Sequence, residues 1–558
     1  MADTDASGKA TLWCSTKSVH VIRDDVSRLL AIPLSGIRVI APTVGGDFGG
    51  KGGITIQPIC LLLAMKAKLP VRMVLDRREE FMCAFAREAT VSELTVGAKK
   101  DGTLTTIKGH IIFETGAYCD TVTRVSPGNL LGPYRYPSVD VTAYLVYTNN
   151  TPRGQVRAPR FPAPIFAAES HLDMVAHKLG MDPLEFRLKN AADEGHRMPG
   201  GHDHIGATGF RETVKEAQGY LKQQRVGREK NHGWGISCAQ WGAHSWTSVS
   251  QPSSAWVKLN VDGSATLISG VTDQGGGQLG MLAQIVSEVL SIPFESISVV
   301  SADTETTPFE QGTGGSNTTY RVGNSVKWAA EDARGKVLQL ASAKLEAPPD
   351  VLEMKDGNVF IRGRPERVLS LASVAAEAMS SPSGPIIGTG EKQREKLVAA
   401  QAERKGEIDR GACATHVAEV EVDPETGQVK VLKYFAVHDA GRAIHPENVR
   451  KQIEGGVTFG LGYALTEETK LDKGKTLSDN FGDYKLPGVT TVPDIESSVI
   501  EVPSRFGPFG ARGVGEPPNV LVAPAIANAV YDAAGIRITE LPITPERVFI
   551  ALKKKSKV

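Results

Sequence analysis

The chain has 558 residues, and its 63 Lys plus Arg are matched by 63 Asp plus Glu. Such neutrality leaves no basic footprint for nucleic acid or for an anionic membrane. No apolar run reaches the roughly 18–20 residues that span a bilayer, and residues 1–9 lack the apolar centre of a secretion signal. No membrane insertion is therefore expected, and the cytoplasm is the expected compartment. An apolar content of 41% suits large packed cores, and the length predicts about three or four domains.

In chain order, residues 37–40 are apolar and read as a buried strand, followed by a glycine run at 44–53 and an apolar helix over 54–66. Strand-like runs come next at 91–96, 104–113 and 141–147, then helices over 163–179 and 211–224, the latter read as a surface helix. Residues 224–233 form a charged, non-periodic linker. From Trp234 onward come alternating strands at 255–260 and 264–269, helices over 279–290 and 322–340, and exposed Gly/Pro/Ser loops near 362–365 and 380–385. Residues 417–423 and 428–431 read as a hairpin. The Lys553–Lys557 run reads as a solvated tail, and no internal repeat is visible. The fold class expected is α+β (mixed α/β), in two lobes over 11–225 and 232–552.

The most telling motif lies late: Gly510-Ala511-Arg512-Gly513-Val514-Gly515-Glu516-Pro517-Pro518. Glycines let a ligand approach the main chain and prolines stiffen the residues after them, so one carboxylate is held on a shaped loop. Four more donor-rich loops stand beside helix starts: Val44 to Gly53, Val271 to Gln278, Gln311 to Tyr320, and His438-Asp439-Ala440-Gly441-Arg442 with Gln452-Ile453-Glu454-Gly455-Gly456. Unpaired N–H groups at helix starts attract anions. None of these loops is a Walker A sequence or an ordered dinucleotide fingerprint. Together they suit a large anionic cofactor, or else the tight turns of a large α/β protein.

These segments, in this order, resemble the molybdenum-binding large subunit of the xanthine dehydrogenase, aldehyde oxidase and carbon monoxide dehydrogenase family. The resemblance runs from about Leu12 to Leu552. Its other supports are Val156-Arg157-Ala158-Pro159, Glu169 with Asp173, Asp182 to Arg187, Asp483 to Pro487 and Gly513-Val514-Gly515-Glu516. It implies a molybdenum-pyranopterin, in the molybdopterin cytosine dinucleotide form, whose dithiolene rather than a protein side chain ligates the metal. It implies Glu516 as the general base, taking a proton while a water-derived oxygen is inserted. It assigns cofactor-facing roles to Gly46, Phe48, Gly49, Arg157 and Ala158. The loop residues Gln274, Gly275, Gly276, Gln278, Gly314, Ser316, Asn317, Thr318, Gln452 and Gly515 are assigned to the same cofactor. Arg160, Phe161 and Trp241 are candidates for lining the substrate, and Trp241 and Trp246 could equally belong to the core. His416 and His438 read more readily as structural.

Several departures refine the resemblance. Ala158 stands where carbon monoxide dehydrogenases carry a copper-binding Cys, so no copper is expected. Gly52 stands where purine oxidisers carry a Glu, which makes xanthine a poor substrate. The usual Gly-Gln-Gly is Gly275-Gly276-Gly277, which moves the hydrogen bond to the metal's oxo group onto Gln274 or Gln278. The family's hammerhead domain, which precedes Leu12, is missing from this sequence, implying a separate hammerhead polypeptide or a chain that works without one. Cys14, Cys60, Cys83, Cys119, Cys238 and Cys413 are too scattered for an iron–sulfur cluster, and most read as buried thiols in a reducing compartment. Neither iron–sulfur cluster nor flavin is expected in this chain. An iron–sulfur subunit and an FAD subunit are the implied partners, with an aldehyde or an N-heteroaromatic as the small-molecule substrate. The alternatives are a reductive aryl-CoA dehydroxylating member and a cofactor-free scaffold.

Overall fold

The computed structural model describes every residue except 119–129, 198–203, 226, 228, 242–252, 383, 391–406, 409–410 and 557–558. Cys119, Trp246 and parts of the expected linker and Ser-Pro loop therefore lie outside the described residues. The architecture is mixed α/β, built from small sheets with helices packed on them.

Two strand–helix–strand units frame the site. In the first, Ala10–Trp13 leads through helix Val19–Leu30 to Ile37–Ile40, which pairs parallel with it. In the second, Ala265–Ser269 leads through Gln278–Leu290 to Ile297–Ser301, again in parallel. The two match in detail. Each helix ends on a left-handed residue, Ala31 or Ser291, followed by Ile-Pro, a short 3-10 turn and the strand. Ser27 Oγ donates to Ile32 O and Ser287 Oγ to Ile292 O, both at 2.6 Å. The chain thus contains an internal repeat, which the sequence carries only as a short shared run: Val26, Ser27, Leu30, Ile32, Pro33, Ile37 and Val39 recur as Val286, Ser287, Leu290, Ile292, Pro293, Ile297 and Val299. The units touch where Ile40 bridges Asp303 and where Arg38 pairs with Asp303 at 2.5 Å.

The other large sheets carry the remaining site segments. The sheet Thr90–Ala98, Leu104–Gly116, Ser138–Tyr147 packs on helix Pro162–Lys178 through Leu104, Ile107, Phe113, Ala168 and Leu172. The sheet Ile495–Ile500, Val429–Asp439, Cys413–Val422, His232–Gln240 is backed by helices Pro446–Leu465 and Val522–Ala534. Helix packing against this sheet is tight: a Cβ at Gly233 or Gly235 would lie 2.1–2.3 Å from backbone atoms of Ala525, Ala529 and Ala533. A buried ion pair, Arg187 with Glu169 at 2.9 Å, joins the helix Pro183–Lys189 to Pro162–Lys178. Glu169 also accepts from Tyr134 Oη and the Cys238 N–H, so its charge is well compensated.

Several expected elements shift. The apolar helix begins at Gln57 rather than 54, because Pro58 suits its first turn and the glycines before it stay in the loop. Ile37–Ile40 is half-buried, its side chains alternating across a two-faced sheet. Helix Phe210–Gln224 buries Phe210, Val214, Ala217 and Tyr220 under the sheet, so it is amphipathic rather than superficial. The hairpin is longer on both arms, Cys413–Val422 with Val429–Asp439. Lys553–Lys555 form the last turn of helix Pro545–Lys555, where their charge favours the helix C-terminus, and Lys555 Nζ donates to Ala534 O at 2.8 Å. They are solvent-exposed as expected, but helical.

Candidate active site

The Glu516 loop is strapped down from behind. Asp439 ends a central strand and accepts the Gly441 and Val502 N–H groups at 2.9 and 3.1 Å. Its other oxygen stands 3.3 Å from Arg512 Nε, and Arg512 also donates to the carbonyls of Gly411 and Ala207. Arg442 N donates to Gly510 O, and Arg512 N to Ala440 O. The His438–Arg442 motif thus fixes the direction in which the chain runs toward Glu516.

Around Glu516 four distant segments converge. Ala158 N donates to Oε1 at 3.0 Å, Ser316 Oγ donates to Oε2 at 3.2 Å, and the Glu516 N–H donates to Ser316 Oγ at 2.9 Å. The backbone must come very close for this. A Cβ at Gly513 would stand 1.7 Å from Ser316 O, and one at Gly49 would stand 1.8 Å from Gln155 O. Gly49 also has φ 118, outside the range of most L side chains, while Phe48, Ala158, Arg160 and Ser316 are all left-handed. So many uncommon backbone conformations in one place mark a site that the surrounding packing holds in shape.

Arg157 ties these segments together. Its N–H donates to Phe48 O at 2.6 Å, Nε to Gly515 O at 2.6 Å and Nη2 to Gln452 O at 2.9 Å. Its own carbonyl accepts from Arg87 and Asn519. Burial pushes the guanidinium down to about 10, so it remains charged at neutral pH. Glu516 is raised above the ordinary carboxylate range by the desolvation of its surroundings; the Ala158 N–H, Lys17, Ser316 and Arg157 act the other way. A carboxylate whose pKa is raised toward the working pH suits a general base.

The structure gathers Phe48, Gly49, Arg157, Ala158, Ser316, Gln452, Gly515 and Glu516 into one cluster. Gly46 lies against the Phe48 ring, which is exposed and stacks near Phe459 at 5.7 Å. Gly314 and Asn317 lie on the turn beside Ser316, closed by Asn317 N donating to Gly314 O. The 271–278 loop makes no hydrogen bond to Glu516. Asp273 gathers the N–H groups of Gly275, Gly277 and Leu279, Gln278 Oε1 accepts the Gly276 N–H at 3.1 Å, and a Cβ at Gly277 would meet Asn448 Nδ2. Gln278 is thereby engaged in its own loop, while Gln274 Oε1 is buried with no hydrogen-bond partner among the described residues. Arg160 is buried, its N–H bonded to Glu88 at 2.9 Å. Trp241 is also buried, its ring tilted against Phe161 at 4.2 Å between centroids and its Nε1 donating to Gly315 O at 3.0 Å, so it braces the Ser316 turn. Sequence reasoning misses Glu88 and Lys17, both buried beside the cluster; a charged residue next to small ones, Ser15-Thr16-Lys17-Ser18, was the signal available.

His416 and His438 are joined rather than independent. His416 Nε2 lies 2.8 Å from His438 Nε2, and His416 Nδ1 lies 2.8 Å from the Tyr434 hydroxyl. Burial pushes His438 down to about 3 and His416 well below its usual value, so both are neutral at pH 7.

The residues fit a large polar cofactor. Thr272 Oγ1, Gln274 Oε1, Thr313 Oγ1 and Thr318 Oγ1 are buried with no hydrogen-bond partner among the described residues, and all four lie in the two glycine loops. Unsatisfied buried oxygens are costly, which is what loops built to receive a ligand display. Profiles of the molybdopterin cofactor-binding domain match residues 1–191 and 203–493. The chain belongs to the molybdenum-binding large-subunit family of xanthine dehydrogenase. It is 32% identical to the nicotine 6-hydroxylase large subunit of Paenarthrobacter nicotinovorans, over 97% of this chain and 69% of that one. It is 30% identical to the xanthine dehydrogenase molybdenum-binding subunit of Escherichia coli O157:H7, over 98% of this chain and 74% of the relative. Quinoline 2-oxidoreductase from Pseudomonas putida 86 superposes with a TM-score of 0.88 at 27% identity, covering 99% of this chain and 73% of that one. The chain is accordingly a molybdenum oxidoreductase of the xanthine dehydrogenase family. Among the described residues, no helix is long and apolar enough to cross a membrane.

Proposed function

We propose that this chain is the catalytic subunit of a multi-subunit cytoplasmic hydroxylase that oxidises an aldehyde or an N-heteroaromatic ring with water as the oxygen source. The observation that carries the reading is the Glu516 carboxylate, held by Ala158 N–H and Ser316 Oγ and raised by desolvation. When bound, the molybdenum pyranopterin, as the cytosine dinucleotide, supplies the oxygen delivered to the substrate and accepts the two electrons. Glu516 would be the base that takes the proton released in the oxidation, and its bonds from Ala158 N–H and Ser316 Oγ fix the orientation of the carboxylate. Arg157, through Gly515 and Gln452, holds the Glu516 loop and the Phe48–Gly49 loop in fixed relation. Thr272, Gln274, Thr313 and Thr318 carry the unpaired oxygens suited to the cofactor's polar edge. Ala158 leaves no thiol for copper, and Gly52 leaves no carboxylate for a purine.

Electrons must then leave through a separate iron–sulfur subunit and on to an FAD subunit. The exposed apolar side chains of helix Gln57–Ala67, Ile59, Leu62, Leu63 and Met65, support a further covering polypeptide, which we assign to the hammerhead domain. The test is Glu516→Gln in the purified complex. Molybdenum content should stay at the wild-type level while turnover of aldehyde or quinoline-type substrates falls by several powers of ten; near-normal turnover in molybdenum-loaded Glu516→Gln defeats the assignment.

A further inference from the structure

Lys17 is a buried cation with no counter-ion among the described residues. It is 8% exposed, and its ammonium makes one hydrogen bond among the described residues, to the neutral amide oxygen Gln155 Oε1 at 2.5 Å. No carboxylate lies within ion-pair distance among the described residues, although Glu516 is near enough for Lys17 to pull its carboxylate toward the ionised form. An ammonium offers three donors, and burying one that is incompletely paired is costly.

Its surroundings are glycine on two sides. A Cβ on Gly52 would stand 2.7 Å from Lys17 Cε and 3.1 Å from Nζ, and a Cβ on Gly314 would stand 3.5 Å from Nζ. The ammonium therefore sits where the 44–53, 155–158 and 312–316 loops meet, in space that side chains at 52 and 314 would otherwise fill. The internal repeat gives this position a second meaning. When Ile32-Pro33 is laid on Ile292-Pro293, Lys17 falls opposite Gly277, and its loop corresponds to the glycine loop 271–277. Both loops leave the C-terminal end of a strand paired in parallel and enter a helix, which is where α/β folds bind ligands.

We infer that Lys17 is an anion-holding residue of the active site, whose ammonium takes an anionic oxygen beside Glu516 brought by a carboxylate-bearing substrate or by the cofactor. The inference rests on the proposed function. It predicts that substrates with an acidic group near the oxidised carbon are preferred, or that the loaded cofactor is anchored at this corner.

The test compares wild-type complex with Lys17→Met, which keeps the bulk, and Lys17→Gln, which keeps a donor without charge. Molybdenum and pterin per chain are measured, and benzoate and benzamide are titrated calorimetrically as probes. Benzoate affinity falling at least tenfold in both variants, with benzamide and molybdenum unchanged, establishes a substrate carboxylate as the partner. Molybdenum and pterin falling severalfold in both, with benzoate unchanged, establishes the cofactor. Variants that match wild type in molybdenum, pterin and benzoate binding overturn the inference, as does an equal loss of benzoate and benzamide binding together with a lower thermal midpoint of molybdenum-free Lys17→Met, which would make Lys17 a structural tether. Absence of molybdenum from the wild-type complex defeats the proposed function instead, and benzoate binding alone then decides the role of Lys17.

Discussion

Glu516 and Ser316 are bonded reciprocally: the Glu516 N–H donates to Ser316 Oγ at 2.9 Å while that hydroxyl donates back to Oε2 at 3.2 Å. One side chain thereby fixes both the backbone entry and the carboxylate orientation of the proposed base. Ser316 can do so because its left-handed backbone and the missing side chain of Gly513 bring two loops into contact.

Replacing Ser316 with Ala removes a bond that favours the ionised carboxylate. Glu516 is already raised by desolvation, so its pKa rises further. A base must be deprotonated, so activity is lost as pH falls through this pKa. The acid limb of the kcat/KM profile should accordingly move to higher pH in Ser316→Ala. At the plateau kcat should fall about tenfold, the worth of one charge-assisted hydrogen bond. An unmoved acid limb would assign that limb to another group.

Gly49→Ala addresses the scaffold rather than the proton. The added methyl would meet Gln155 O at 1.8 Å, at a φ of 118 that alanine rarely adopts. Backbone on both sides cannot yield cheaply, and overpacking of this kind costs about 1–3 kcal/mol or more. Because the displaced loop carries the Arg157–Phe48 bond, the expected result is a lower thermal midpoint together with reduced molybdenum content. Retention of both would mean the loops separate more easily than their packing indicates.

Legibility in the sequence depends on the range of each interaction. Glu516 and its glycines announce themselves locally, since close backbone approach demands glycine wherever it occurs. Lys17 does not, because its meaning depends on Gly52, Gln155 and Gly314, one of them some 138 residues away. The repeat is easily passed over because its identical residues, Val-Ser, Leu, Ile-Pro, Ile and Val, fall within one short stretch, 26–39 and again 286–299. His416 and His438 read as separate strand residues. Only the register, which sets His416 opposite Ala436 and His438 opposite Ala414, makes them diagonal neighbours on one face. The lysines at 553–555 read as a tail because their helix is anchored by Val548 and a Thr544 cap rather than by a strong pattern of their own.

The histidine pair predicts a pH dependence of stability. Unfolded histidines titrate near pH 6.5, whereas burial holds His438 at about 3 and His416 well below its usual value. Below pH 6.5 the unfolded chain therefore binds more protons than the folded one. The stability is fully present above 6.5 and is lost as pH falls, by about 1.4 kcal/mol per pH unit for each histidine. Urea midpoints taken between pH 7.5 and 5 should show this slope, and His416→Asn with His438→Asn should flatten it by about two protons. An unchanged slope in the double variant would mean that carboxylates govern acid unfolding.

The apolar face of helix Gln57–Ala67 yields the last prediction. Ile59, Leu62 and Leu63 are 52%, 41% and 45% exposed, while Leu61 and Ala64 on the opposite side are buried. A helix apolar all round is ordinarily covered on every side, and burying each such side chain is worth about 1.5–3 kcal/mol. The chain purified alone should therefore self-associate, and Leu62→Glu with Leu63→Glu should render it monomeric by light scattering without lowering its thermal midpoint. In the complex the same pair should release the covering polypeptide while the Glu516 cluster, which this helix face does not touch, keeps its molybdenum. A double variant that still co-purifies with every subunit would place the covering contact elsewhere, and one that loses molybdenum would show that the covering chain also closes the cofactor site.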